Sequence, residues 1–133
     1  MLDREIAVQL RARGHDVESI QGDHEWLQAT YDTVVLEEAG GMGRSLVTDN
    51  VGHFLVAHER IVAAGKHHAG LVLASPRGYP RNKRTIGLWV QALAVMLDKY
   101  RDRPTADLVE WLPESFSDRP FLQRSTSNHP AWL

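Results

Sequence analysis

Cysteine is absent from the chain. That excludes disulfides, thiolate zinc sites and a cysteine nucleophile, and it fits a cytoplasmic protein. Long apolar runs are missing as well. Nothing approaches the roughly 20 residues needed to cross a bilayer, so no membrane role is expected. The N-terminus, M-L-D-R-E-I, is charged at once and has no signal-peptide pattern. A strong charge of one sign is also lacking. The formal net charge is -2, so any nucleic-acid role has to come from a local patch. No internal repeat is visible.

What is present is an ordinary globular composition. The 133 residues are 43% hydrophobic and 24% charged, enough for one domain with its own core. The most informative stretch is Ser45 to Phe54, S-L-V-T-D-N-V-G-H-F. Leu46 and Val47 read as a buried strand, Thr48 to Asn50 as a polar turn, and Val51 as the start of a helix that runs to Ala64. Thr48, Asp49 and Asn50 all suit a helix N-cap. In open α/β sheets, ligands bind beyond the carboxyl ends of the strands, so Asp49 is either a cap or part of a site.

The rest of the chain alternates in kind. Met1 and Leu2 read as the end of a strand, with Asp3 where that strand stops. So short a strand cannot hold a place in a sheet. Either most of the first strand is lacking or the true start lies upstream of Met1. Ile6 to Ala12 is rich in helix formers and Gly14 closes it. Asp16 to Gln21 alternates apolar and polar residues, which predicts a short strand through Val17 and Ile20. Gly22 to Tyr31 is irregular, with Trp26 as a lid over the core. Asp32 opens a second helix, where an N-cap is the plain alternative to a site role. Gly40, Gly41 and Gly43 end it.

Gly65 to Ala69 is a loop with two histidines, and Gly70 to Ala74 is an apolar run typical of a buried parallel strand. Ser75 to Arg84 is a loop with two prolines, one glycine and four cations, Arg77, Arg81, Lys83 and Arg84. Thr85 to Tyr100 is the longest predicted helix, with Trp89 on its apolar face. Asp107 to Leu112 is a last strand at a sheet edge. Residues 113–133 turn polar, which predicts a disordered or partner-docking tail. Helices alternating with short apolar strands give an α/β domain over 1–112, with a mostly parallel sheet covered on both faces.

Asp3, Asp32 and Asp49 fall at strand ends or helix starts. If they converge, they form an oxygen-ligand site for a hard cation, Mg²⁺ or Mn²⁺. Such a site supports phosphodiester hydrolysis. Each Asp also has a capping alternative. The four cations between Arg77 and Arg84 follow the Gly70–Ala74 strand, so a parallel sheet puts them on the same edge as Asp49. A basic rim beside acids suits a polyanion; a solvated or salt-bridged loop is the equal alternative. Tyr79 reads first as a structural turn residue, with base stacking as the alternative. His53, His58, His67 and His68 do not have zinc-site spacing. Trp111 and Trp132 are candidate partner anchors.

The ordered segments L-D-R-E-I, R-G-H-D-V, D-T-V-V-L-E-E-A, G-R-S-L-V-T-D-N-V-G-H-F and H-A-G-L-V-L resemble the short bacterial PIN-like proteins, a branch of the PIN-domain nucleases that includes toxins of toxin–antitoxin pairs. Asp3, Asp32 and Asp49 match acids of the family pattern. The resemblance implies a three-layer α/β/α, Rossmann-like PIN domain that binds Mg²⁺ or Mn²⁺ and cleaves single-stranded RNA as an endoribonuclease. It implies catalytic and metal-holding roles for Asp3, Asp32 and Asp49, and supporting roles for Thr48 and Asn50. Arg77, Arg81, Lys83 and Arg84 would bind nucleic acid. A small antitoxin protein and a homodimer are the implied partners. Two departures matter: the first strand looks clipped, which bears on the placement of Asp3, and the family places an Asp just before the Phe, where His53 stands here. Imidazole ligates Mn²⁺ but is a poor ligand for Mg²⁺. The alternative is therefore a PIN-like module that binds RNA or a partner protein without cutting. A response-regulator-like domain is a further alternative, but Lys66 and Lys83 do not sit clearly at strand ends.

Overall fold

The computed structural model describes residues 2–24, 31–114 and 127–132. In chain order the elements are α1 (Arg4–Ala12), β1 (His15–Glu18), α2 (Ile20–Asp23), α3 (Asp32–Gly41), β2 (Ser45–Thr48), α4 (Val51–Ala63), β3 (Leu71–Leu73), α5 (Ile86–Lys99), β4 (Val109–Trp111) and β5 (Ser127–Trp132). The strands form one sheet in the order β1-β5-β2-β3-β4, and every neighbouring pair is parallel. All carboxyl ends therefore open on one edge, where α3, α4 and α5 begin. No helix among the described residues is long and apolar enough to cross a membrane.

The pleat sorts the core into two halves. Leu46, Leu71 and Leu73 point to one side and pack with Val35, Leu36 and Ala39 of α3 and Phe54, Ala57 and Ile61 of α4. Val47 and Val72 point to the other, against Ile6, Ala7 and Leu10 of α1 and the long apolar face of α5. Strands buried on both sides read as continuous apolar runs, which is why β2 and β3 stand out in the sequence.

Several sequence expectations change. Leu2 is buried but not in a strand, and Asp3 caps α1 by accepting from the Glu5 N–H at 2.9 Å. Ile20 leaves the sheet and starts α2. Asp23 is the cause: its Oδ2 accepts from the Ser19 N–H at 2.7 Å and closes a helical turn where the alternation predicts a strand. Asp32 is the first residue inside α3 rather than its cap; Tyr31 holds the cap position without a side-chain bond. Trp26 and its expected lid lie outside the described residues. So do 115–126 of the expected tail, but 127–132 are not a loose tail: they form β5 between β1 and β2. The step from His15 to Val17 in β1 spans Ser127 to Ala131 of β5, so the register shifts there. Pro130, which has no N–H to donate, sits in that bulge, where such a residue is tolerated.

Gly70 precedes β3 with φ +125°, and a Cβ there would stand 2.7 Å from Ser45 Oγ and 3.1 Å from the Thr105 carbonyl oxygen. Ser45 Oγ is itself committed to the Ala69 carbonyl at 2.7 Å. Gly70→Ala is expected to cost about 2–3 kcal/mol, from backbone strain and the clash together, and to lower the urea midpoint accordingly. An unchanged midpoint would show that the turn relaxes freely.

Candidate functional site at the carboxyl edge

Asp49 follows β2 directly and is only 8% exposed. Its neighbours are bound to the same edge. The Thr48 carbonyl accepts from the Ala74 N–H at 2.9 Å, and Thr48 Oγ1 accepts from the Asn50 N–H at 3.1 Å. Asn50 begins α4 without a side-chain cap. Its amide instead lies 3.2 Å from His53 Nδ1, and that same nitrogen lies 3.3 Å from Asp32 Oδ2. One ring nitrogen cannot accept from an amide and donate to a carboxylate together. A proton on Nδ1 facing Asp32 requires the Asn50 amide oxygen to turn toward the ring. Asp32 is thus linked through His53 to the residue after Asp49.

The basic loop lies directly on the acids. The Arg81 guanidinium makes a two-pronged contact with Asp49: Nε donates to Oδ2 at 2.5 Å and Nη2 donates to Oδ1. Asp49 in turn raises the Arg81 pKa. Lys83 Nζ donates to Asp3 Oδ2 at 2.6 Å. The Lys83 ammonium, with help from the Glu5 N–H, holds the Asp3 carboxyl below its ordinary range. Arg77 and Arg84 are exposed, and among the described residues neither side chain has an ion-pair partner.

The loop keeps this shape through its own bonds. Asn82 Oδ1 accepts from the N–H groups of Arg84 at 2.9 Å and Thr85 at 3.2 Å, forming a 3₁₀ turn over Lys83–Thr85. Thr85 Oγ1 donates to the Pro80 carbonyl at 2.5 Å. Tyr79 anchors the other end. It is fully buried, its ring packs 5.0 Å from that of Trp89, and its hydroxyl donates to the Pro113 carbonyl. Burial, with Glu114 nearby, pushes its pKa up to about 12. Tyr79 is therefore structural, a core anchor of the loop, and its burial rules out the alternative base-stacking role.

Among the described residues, no group of three or more His, Asp or Glu side chains is arranged to hold a metal ion. Asp3, Asp32 and Asp49 share the edge, but each is bound to a basic side chain of this chain. Comparison with protein-family models, curated proteins and solved structures returns no match.

A second titratable cluster lies elsewhere, around the loop before β3. The Gly70 N–H donates to His68 Nδ1 at 3.0 Å, so a neutral His68 carries its proton on Nε2. That atom lies 2.8 Å from His58 Nδ1, to which it donates. His67 turns away to Asp107 Oδ2 at 2.6 Å. No local spacing signals the His58–His68 pair, because their 10-residue separation crosses a helix end and a turn.

Burial, reinforced by His58 and His67 and opposed by Asp107, lowers the His68 pKa below its ordinary 6.5. Burial likewise lowers that of His15, against a raising contribution from Asp98. A histidine depressed in the folded state binds fewer protons than the unfolded chain, so stability falls as pH drops below about 6.5. The melting temperature is expected to fall between pH 7.5 and 5.5, by roughly 4 °C per kcal/mol lost. The fall should be smaller in His68→Gln. An equal fall in both proteins would remove His68 from the account.

Proposed function

We propose that the chain is a metal-dependent endoribonuclease of the PIN-like type, acting as the toxin of a toxin–antitoxin pair. The observation that carries this is the contact between acids and cations at one sheet edge. Asp49 and Asp3, both singled out by the sequence pattern, are held by Arg81 and Lys83 of one basic loop. A nuclease of this kind needs carboxylates for a cation and cations for phosphates, side by side.

The donor set fits a hard divalent cation in type. Its carboxylates offer oxygen ligands, and Mg²⁺ commonly takes only one or two of them with waters and phosphate oxygens. Two of the acids already hold a cationic side chain, which stands in for positive charge there. Asp49 and Asp3, with Asp32 beside them, would hold Mg²⁺ or Mn²⁺. When bound, the ion supplies an activated water and offsets charge on the leaving oxygen. Arg81 and Lys83, released from the acids, would hold backbone phosphates together with Arg77 and Arg84. Thr48 and Asn50 keep the Asp49 turn and the Asp32–His53 link in place.

The second reading is a binding module for RNA or a partner protein. It is favoured by the ion-paired acids, by the lack of a three-ligand group among the described residues and by His53. The two separate on one experiment. Purified protein is incubated with labelled single-stranded RNA in Mn²⁺, in Mg²⁺ and in EDTA. Cutting in either metal and none in EDTA supports the nuclease. Binding without cutting in any condition supports the module. The small antitoxin, a homodimer and a cytoplasmic location belong to the same proposal.

A further inference from the structure

Beside Asp32 the edge carries a hollow that the basic loop does not line. It measures about 220 Å³ and is lined by Tyr31, Asp32, Thr33, His53, Val56 and Arg60. His53, Val56 and Arg60 are spaced three and four residues apart, so they form one stripe along α4. The stripe starts at the Asp32–His53 contact and ends at Arg60, about 10 Å further along the helix axis. Tyr31 stands opposite and is 86% exposed, and Val56 is 45% exposed. The Arg60 side chain is exposed, with no ion-pair partner among the described residues.

An aromatic ring left in water, an apolar floor and a cation at the far end are the parts of a base-stacking subsite. We propose that this hollow binds one unpaired nucleotide of the RNA, next to the phosphate at the acids. The inference rests on the ribonuclease reading. Tyr31 stacks the base over Val56, Thr33 reaches a polar edge of the base, and Arg60 holds the neighbouring phosphate. The hollow is a single-base recess closed on one side by α4. It therefore suits a base splayed out of a single strand and not a paired duplex.

Binding tests this apart from cutting. Fluorescence anisotropy with a labelled 12-nucleotide RNA in EDTA is measured for the wild type, Tyr31→Ala, Tyr31→Phe and Arg60→Ala. Both sites are exposed, and circular dichroism checks that each variant is folded. Tyr31→Ala is expected to weaken binding about tenfold or more, and Tyr31→Phe to restore most of it. Arg60→Ala is expected to weaken binding and reduce the salt slope by about one. With RNA carrying abasic sites throughout, wild type and Tyr31→Ala should bind alike.

Undiminished binding by Tyr31→Ala would overturn the subsite while leaving the nuclease proposal standing. So would equal affinity for duplex RNA. Failure of the wild type to bind or cut any RNA would overturn both.

Discussion

Asp49→Asn is expected to abolish metal-dependent cleavage, by about 100-fold or more, while leaving the protein folded. The substitution keeps the shape of the side chain and removes its charge. Asn offers one carbonyl oxygen where Asp49 offers two charged ones, so both its hold on a cation and its hold on Arg81 weaken. The fold should tolerate this. Asp49 is nearly buried, but the Arg81 side chain is 51% exposed and can turn to solvent. Loss of such a half-exposed pair costs on the order of 1 kcal/mol. The decisive measurements are cleavage in Mn²⁺ beside the thermal midpoint. Lost cleavage with a near-native midpoint makes Asp49 part of the chemistry. A collapsed midpoint makes it a structural partner of Arg81, and unchanged cleavage would place the reaction elsewhere.

Trp89→Ala is expected to cost about 3–5 kcal/mol, a large part of the 5–15 kcal/mol typical of a domain. Trp89 is 2% exposed and lies in the half-core between α1, the sheet and α5. Its truncation opens a cavity and also removes the ring on which Tyr79 packs. Tyr79 anchors the loop that carries Arg81 and Lys83. The variant should therefore lose urea resistance and, even where still folded, protect the 75–84 amides less in hydrogen exchange. A stability change under about 1 kcal/mol, followed by circular dichroism, would contradict this packing account.

The chain yields its α/β alternation readily because burial on both faces leaves a mark on composition. Leu46–Val47 and Leu71–Leu73 are apolar without interruption, and α5 carries Ile86, Trp89, Val90 and Leu93 on one side. The edge strand at 109–111 is not buried on both faces and is legible instead from Val109 and Trp111, strand-favouring residues on either side of Glu110. Ile20 is misplaced because the pattern of alternating residues cannot register the Asp23–Ser19 bond that turns the chain. Tyr79 looks like a surface residue because it sits among prolines and arginines; only the distant Trp89 and Pro113 make it core. At the site, Asp49 and the basic loop can be located from their strands. Their contact cannot: Lys83 meets Asp3 across 80 residues, and no local pattern encodes such a pair. The hollow at Tyr31 left only a faint signal, an aromatic residue just before the Asp32 helix start. Nor does Ser-Asn-His-Pro look like the start of a central strand.

That strand has a consequence for biogenesis. β5 is the last of the described strands yet lies between β1 and β2, which are made long before it. Until residues 127–132 leave the ribosome, β1 and β2 each keep an unsatisfied ladder edge. The nascent sheet is then two separate pieces with a strand-wide gap. Such edges recruit other extended chains, so the nascent protein is most exposed to mispairing before β5 emerges and fills the gap. Translation that stalls between Pro113 and Ser127 would leave β1 without the strand that joins it to β2.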